Sequence, residues 1–544
     1  MEVDAVEADT SVLVVGGSLV GLSTALFLAH RGVPCLVVER HAGTSIQYKF
    51  RGISPRSMEL YRAVGIEAEI RARDVIDDRS AYVARMTHLG DSQISWQGIP
   101  WAETRDISPA TAATCDQDQL EPILLAAARR CGADVRFDTE LVAFDETAAG
   151  VSARVRDRST GAEYTVRAGF LVGADGPRSP VRQSLGIDRH GPGVLQHWMN
   201  VIFEADLPTS IDGRTVRSIF VTDINGTFVP RGDGRWLMAV QYDPARGESP
   251  DGFTPDACTD LIRRGAGRAD LAVRVIDARP WEAAAAVADR FGTARVFLAG
   301  DSAHVMPPTG GFGGNTGIHD AYNLAWKLDA VSKGRAAAGL LDTYDAERRP
   351  VADATMDQAL ARLQAWFKDP GRRLPPAVPI ADDGFVVFGY RYPRGAFVPD
   401  RDDDADVMFE DPRSPTAQPG SRAPYLLVRR GADVVSTIDL FAGKWVLFSG
   451  PEGQAWPEIV RRTAGAAAFG VVCWGLQPAG DLEDVDGRWP DTARLDGDGA
   501  VLIRPDGFVA WHRRTAQGDA HADLDAAFTR LWARHDRASS GRHR

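Results

Sequence analysis

Apolar runs and helical spacings alternate at the start of the chain. Ser11-Val-Leu-Val-Val15 is short and almost wholly apolar, the pattern of a strand buried on both faces of a parallel sheet. The turn Gly16-Gly-Ser-Leu-Val-Gly21 follows. Leu22 to Arg31 then carries apolar residues at helical spacing and closes on Gly32, a residue suited to a helix C-terminus. A second apolar run, Cys35-Leu-Val-Val-Glu39, comes after a short loop. Strand, turn, helix and strand in this order predict the βαβ unit of a dinucleotide-binding fold.

The middle of the chain has a different rhythm. Trp198-Met-Asn-Val-Ile-Phe203, Arg217-Ser-Ile-Phe-Val221 and Arg235-Trp-Leu-Met-Ala-Val240 are short alternating runs separated by Gly, Asp and Asn. They predict an antiparallel sheet with one face free to cover a ligand. Arg295-Val-Phe-Leu-Ala299 returns to the buried-strand pattern, and a long helix is predicted through Asp320 to Lys333. From Asp369 to Pro424 prolines and aspartates accumulate, including Asp400-Arg-Asp-Asp-Asp-Ala-Asp406. That is linker composition, part of it able to wrap the domain. Asp439-Leu-Phe-Ala-Gly-Lys-Trp-Val-Leu-Phe448 and Ala500-Val-Leu-Ile-Arg-Pro-Asp-Gly-Phe-Val-Ala-Trp511 suggest strands of a further small α/β domain.

Composition narrows the function classes. With 544 residues, 44% hydrophobic and 25% charged, the chain has the make-up of a soluble protein of two or three domains. A formal net charge of −12 and the lack of a basic, aromatic-laced stretch argue against nucleic acid as a partner. The first residues carry no basic secretory leader, and no run reaches the roughly 20 apolar residues that a membrane span needs. The five cysteines are scattered without a CxxC, so a reduced, cytoplasmic protein is expected. No HExxH or Cys/His cluster supports a metal site.

Candidate chemistry lies in three separated motifs. Gly16-Gly17-Ser18-Leu-Val-Gly21 fits GxGxxG if Ser18 stands for the middle glycine. A pyrophosphate could rest on the helix N-terminus there, and Glu39, with Arg40 beside it, ends the second strand where an acid accepts from a ribose diol. Leu171-Val-Gly-Ala-Asp175-Gly-Pro-Arg-Ser179 is an apolar strand running into a turn. Val296-Phe-Leu-Ala-Gly300-Asp301 leads through a loop containing His304, Pro307 and Pro308 to Gly310, Gly311, Gly313, Gly314 and Asn315. Asp301 could accept from a ribityl hydroxyl. Backbone N–H groups from Gly313 to Asn315, at a helix start, would favour the negative charge of a reduced flavin.

Together these motifs resemble the class A flavoprotein aromatic hydroxylases, the fold group of p-hydroxybenzoate hydroxylase, over most of residues 11 to 365. The resemblance implies FAD as cofactor, NADPH or NADH as a transient co-substrate, and O2. It also implies monooxygenation of an electron-rich ring through a flavin C4a-hydroperoxide. Asp175 then belongs to a motif shared by FAD and NAD(P)H, and Asp301 binds the ribityl chain. Gln117, in Cys115-Asp-Gln-Asp-Gln-Leu-Glu-Pro122, falls near the ribityl and adenosine portion. Phe50-Arg51-Gly52 looks like the loop beside the isoalloxazine, where either Lys49 or Arg51 meets the flavin. Arg51 and Pro308 are the candidates for positioning the reacting ring of the cofactor.

The run from Gly191-Pro-Gly through Asp223-Ile-Asn-Gly-Thr227 to Asp342-Thr-Tyr-Asp-Ala-Glu-Arg348 is similar to bacterial hydroxylases of aromatic polyketides, of anthracycline, angucycline or tetracenomycin type. Such relatives carry a C-terminal thioredoxin-like domain. The expected fold is therefore α/β (α+β), in a fixed order. A Rossmann-like FAD-binding domain spans 1–190, with strands near 75–115 joining the middle sheet. An antiparallel substrate sheet spans 191–290, the FAD domain returns over 291–370, and a linker covers 371–419. A thioredoxin-like domain over 420–535 and a tail over 536–544 complete the chain. Cys473 alone cannot run dithiol exchange. Candidates for the substrate on the middle sheet are His197, Asn200, Asp223, Arg231, Gln241 and Tyr242, about half of which must face away on alternating strands. A monomer or homodimer acting on a small aromatic molecule is expected. An FAD reductase or dehydrogenase, an antibiotic-inactivating hydroxylase, and a non-catalytic flavoprotein are the rival readings.

Overall fold

The computed structural model describes residues 6–47, 49–74, 81–98, 104–231, 234–366, 378–400, 407–476 and 482–532. The expected βαβ unit is present as the strand Val6–Val15, the helix Leu19–His30 and the strand Cys35–Val38. Val12, Leu13, Val14, Leu36 and Val37 are all buried, as strands covered on both faces must be. Among the described residues a seven-stranded sheet forms around them. Asp134–Arg136, Cys35–Val38, Val6–Val15, Glu163–Gly173 and Val296–Leu298 run parallel. The antiparallel strands Val151–Asp157 and Thr139–Glu146 extend one edge. Their parallel direction brings Val15, Val38, Gly173 and Leu298 to the same end of the sheet.

Among the described residues the second sheet has nine strands and is built around two long ones, Arg189–Glu204 and Arg274–Ala288. Most of its pairs are antiparallel, as expected. One is not: Ala81–Met86 lies parallel beside Arg214–Val221, and Ser95–Gly98 pairs with Ala81–Met86. A parallel neighbour arriving from over a hundred residues earlier leaves no local signature in an alternating pattern. His304–Val305 pairs with the end of Arg274–Ala288, so the loop that follows leaves directly from this sheet.

Three further expectations are corrected or refined. The helix expected over Asp320 to Lys333 runs Phe312–Ser332. Asp439–Phe441 is not strand but the end of a short helix, Thr437–Phe441, capped by Ser436; the strand is Val446–Ser449. The Pro/Asp-rich stretch wraps the molecule: Val386, Val387, Phe388, Tyr390, Tyr392 and Phe397 are buried, and Asp383–Phe388 is helical. Residues 371–377, most of the aspartate run (401–406) and the tail 536–544 lie outside the described residues. Among its described residues the C-terminal region holds a four-stranded sheet in the order Val472–Gly475, Val446–Ser449, Ala500–Ile503, Val509–Arg513, the first pair parallel and the rest antiparallel.

Candidate active site

The carboxyl ends of the parallel strands deliver the three motifs to one place. Such a cluster of strand ends is where open α/β sheets bind their ligands. Gly16 has a φ of 105°, and a Cβ there would sit 2.3 Å from the Ala174 carbonyl oxygen. Gly21 is equally forced, since its Cβ would lie 1.8 Å from the Gly16 oxygen. The first motif thus packs against the second through bare backbone. Gly17 N–H donates to Glu39 Oε2 at 2.7 Å, and His41 N–H to Glu39 Oε1 at 2.9 Å. The Glu39 carboxylate is thereby fixed at the strand end. Arg40 beside it is exposed, its carbonyl accepting from Arg158 at 2.5 Å.

Asp175 accepts from Val181 N–H through Oδ2 at 3.0 Å, while its Oδ1 is buried without a partner. Burial raises its carboxyl pKa, opposed by Ser179. Gln117 shows the same incompleteness. Its Nε2 donates to Ser18 Oγ at 3.0 Å and Glu121 Oε1 at 2.6 Å, but its Oε1 is buried and unpartnered. Buried polar atoms are normally hydrogen-bonded. Two orphans beside a glycine cradle and a free helix end fit a dinucleotide with hydroxyls to offer.

The third motif is held from behind. Asp320 is fully buried and accepts from Gly300 N–H at 3.2 Å and from Arg348 Nε at 2.8 Å, with His304 Nε2 2.7 Å away. Burial pushes its carboxyl up, but His304 and Arg348 outweigh that and hold it down at about 2. This carboxylate sets the turn that presents Asp301, which stays open to solvent. Enough protein still surrounds Asp301 for desolvation to raise its carboxyl, against the pull of His304 and Lys49. His304 therefore serves the turn rather than the ligand. Pro308 is exposed and accepts from Gly311 N–H at 3.0 Å.

Beyond it the 21-residue helix Phe312–Ser332 begins, and the N–H groups of Phe312, Gly313 and Gly314 have no acceptor among the described residues. Such an end favours negative charge. Asn315 acts differently. Its side chain takes Ser54 N–H (2.9 Å) and Ser57 Oγ (2.7 Å) and donates to Gly52 and Gly311 carbonyls (both 2.9 Å). It latches the Phe50–Gly52 loop to the helix start.

Lys49 and Arg51 have separate fates. Lys49 is exposed and lies close enough to Asp301 to lower its carboxyl. Arg51 is buried; its Nη2 donates to Pro230 O at 2.7 Å and its Nε pairs with Asp116 at 3.2 Å. Arg231 pairs with the same Asp116 at 3.3 Å and with Asp118 at 2.7 Å. These four residues form a buried bridge between the nucleotide domain and the second sheet, so Arg51 and Arg231 join domains here.

The strand register sorts the remaining substrate candidates. His197 stands opposite Tyr242, and both lie on the face covered by the helix Pro255–Ala266, with Tyr242 against Phe253. Asn200 and Gln241 lie on the other face with Trp198, Ile202 and Leu237. That second face meets the nucleotide domain: Asp277, opposite Ile202, is bonded to Gln47. Trp198 and Trp281 stack there (5.8 Å, 14°), and Trp281 Nε1 donates to Asn200 Oδ1 at 2.8 Å. Asp223 is exposed in the short turn Thr222–Ile224, its N–H on Thr87 O.

Sequence reading missed Glu121, Asp320 and Trp281. Glu121 lies four residues after Gln117 on one helix face, a spacing that could have flagged it. The other two had no local signal. Among the described residues no group of metal-ligating side chains occurs, and no helix is long and apolar enough to cross a membrane.

A nucleotide cradle at the strand ends, beside a large sheet that carries an aromatic face, is the arrangement of a dinucleotide-dependent enzyme. Residues 9–359 match the family model of the FAD binding domain, and residues 416–534 that of the aromatic-ring hydroxylase C-terminal region. The chain belongs to the FAD-dependent aromatic-ring hydroxylases. Tetracenomycin A2 monooxygenase-dioxygenase of Streptomyces glaucescens is 40% identical over 561 residues, covering 97% of each chain. 4-Methyl-5-nitrocatechol 5-monooxygenase of a Burkholderia species is 38% identical over 547 residues, covering 97% of this chain and 98% of that one. The solved ternary complex of aklavinone-11 hydroxylase with FAD and aklavinone matches with a TM-score of 0.89 at 38% identity, covering 98% of this chain and 100% of that one. The resemblance read from the motifs is borne out.

Proposed function

We propose that this enzyme hydroxylates a multi-ring phenol of aromatic-polyketide type, using NADPH or NADH and O2. The observation that carries this reading is the inner face of the second sheet. Its stacked Trp198–Trp281 pair, with Asn200, Ile202 and Leu237 beside it, offers a broad flat wall with a few polar groups. Aromatic rings favour offset stacking on such surfaces. Similarity to enzymes of tetracenomycin and aklavinone supports the same class, while similarity to a nitrocatechol enzyme makes ring count the point to test.

The residues divide the work. Gly16 and Gly21 let turn and helix pack closely, so that the N–H groups of Val20 and Gly21 would meet a phosphate chain; Glu39 and Gln117 Oε1 would accept from hydroxyls at the adenosine end, and Asp301 from the ribityl chain. When bound, FAD supplies hydride acceptance from NAD(P)H and activation of O2. The N–H groups of Gly313 and Gly314 stabilise negative charge at the adjacent ring edge. Lys49 adds a positive charge near Asp301. Asn200, held by Trp281, orients a substrate oxygen. His197 and Tyr242 face the far side of the sheet and Arg231 is neutralised by two aspartates, so none of them is a base for the phenol. Its own acidity, raised by conjugation to a ring carbonyl, then has to suffice. The C-terminal region serves as a thioredoxin-like structural domain, without dithiol chemistry.

The test is O2 uptake by FAD-loaded enzyme with NADPH or NADH, with and without mono- and polycyclic phenols. Substrate-triggered uptake with a product heavier by one oxygen atom, confined to multi-ring phenols, supports the reading. The same outcome with monocyclic phenols alone overturns the substrate class. Anaerobic turnover without oxygen gain overturns oxygen insertion.

A further inference from the structure

Ser18 stands where the glycine-turn pattern has its middle glycine, at the N-cap of the helix Leu19–His30. A serine in this position ordinarily accepts from the backbone N–H two or three residues on, with a typical contribution of about 1 kcal/mol. Here that would occupy the N–H groups a pyrophosphate needs. Ser18 has the extended backbone of an N-cap (φ −98°, ψ −167°), yet its side chain makes no capping bond. Its hydroxyl donates instead to Glu121 Oε1 at 2.6 Å and accepts from Gln117 Nε2 at 3.0 Å. Glu121 is fully buried and anchored by Ser45 N–H at 2.7 Å and Gln117 Nε2 at 2.6 Å. Leu22 N–H bonds to Ser18 O, and Leu19 N–H faces the Glu121 carboxyl. The N–H groups of Val20 and Gly21 are left without an acceptor among the described residues.

We propose that Glu121 and Gln117 form a latch that draws the Ser18 hydroxyl off the helix end, keeping the Val20 and Gly21 N–H groups open for the FAD pyrophosphate. The latch rests on the FAD site described above. It explains how a serine is tolerated here while Gly16 and Gly21 are sterically forced: the added hydroxyl has its donor and its acceptor elsewhere. Burial also pushes the Glu121 carboxyl above its ordinary range, which lessens its repulsion of a diphosphate.

The experiment is a double-mutant cycle on FAD affinity, read by flavin fluorescence with the apoprotein. Ser18→Gly alone is expected to leave the FAD Kd within about twofold, since Gly caps nearly as well without a side chain. Glu121→Leu is expected to weaken FAD about 5- to 10-fold when Ser18 is present, because the freed hydroxyl caps the helix. In the Ser18→Gly background the same change should cost at most about twofold, and Glu121→Gln should restore binding in the Ser18 background. Thermal melting of each apoprotein checks folding. If Glu121→Leu does not fold, Glu121→Met, closer in shape to the glutamate, replaces it in the same two backgrounds with the same dependence on Ser18 expected. Equal costs in both backgrounds would overturn the latch. Failure of the unmodified protein to bind FAD would overturn the site itself.

Discussion

Asn200 and His197 sit three residues apart on one strand and face opposite sides of the sheet. That parity, invisible without the register, decides their parts. Asn200→Ala removes the anchor of Trp281 and, on the proposed function, one neutral hydrogen bond to substrate. It should raise KM for the aromatic substrate by up to about tenfold while NAD(P)H oxidation without substrate stays unchanged. His197→Ala should leave KM within about twofold, since such a residue packs beneath the wall. Steady-state kinetics on both variants checks the pair, and a larger KM effect from His197 would reverse the assignment of faces. At the nucleotide end Gly21→Ala drives a methyl group into the Gly16 carbonyl. Overpacking of this kind costs about 1–3 kcal/mol, placed here on the turn itself, so the purified variant should carry substoichiometric FAD by absorbance.

At the scale of elements, the sequence made plain what is local. Strand, turn, helix and strand from Ser11 to Glu39 are continuous, and each motif announces its strand by an apolar run. The glycine motif marks a start for the helix Phe312–Ser332 at Gly313 to Asn315, but helical apolar spacing carries it only from Asp320 onward. Its first turn is Phe312-Gly-Gly-Asn315, and glycine is a poor helix former. Tertiary contacts override the propensity there: Asn315 ties the turn to Gly52, and a Cβ on Gly314 would strike the Phe50 ring at 2.4 Å. One turn further along the same helix His319 is buried, stacked on Tyr390 and 3.2 Å from Ser57 Oγ. Burial, then Arg348 and Arg56, lower its pKa well below 6.5, against Asp320. The folded protein therefore keeps His319 neutral where the unfolded chain would protonate it. Its contribution to stability is full above about pH 6.5 and is lost as pH falls below that, by up to about 1.4 kcal/mol per pH unit. His190, bonded to Asp289 and Asp353 at 2.8 Å each, has a raised pKa and works in the opposite sense. It supports the fold below pH 6.5 and loses that support as pH rises through its higher pKa, weakly because it is half exposed. Urea denaturation from pH 7 to 5 should show His319→Gln with a flatter stability profile than the unmodified protein. An unchanged slope would mean that His319 is protonated in the fold.

Across the whole molecule, one set of contacts that joins distant segments is charged and buried, beside the apolar packing of Trp326 on Trp445, and no sequence pattern forecast it. Arg504, on the hairpin turn of the C-terminal sheet, donates to both oxygens of Glu347 at 2.7 and 2.8 Å and pairs with Asp506. Asp506 in turn accepts from Asn323 and Trp326 at 3.1 Å, and Glu347 from Lys327 at 2.7 Å. Asn323, Trp326 and Lys327 belong to the helix whose first turn faces the flavin site. The C-terminal region is thus bolted to the element that presents Gly313 and Gly314. The four charges balance, so removing one leaves a buried imbalance. Breaking a buried pair in this way costs roughly 3–5 kcal/mol, whereas an apolar exchange of all partners can be neutral. Arg504→Met should therefore lower the thermal midpoint of the holoenzyme. It should also lower the temperature of FAD release by a similar amount, because helix and C-terminal region yield together. Melting followed in parallel by tryptophan and by flavin fluorescence separates the alternatives. If the tryptophan transition splits, with an early C-terminal phase and FAD release at its original temperature, the C-terminal region is merely attached and the helix holds its geometry without it. A single coincident shift would mean that this region, lacking dithiol chemistry, works by clamping the flavin helix.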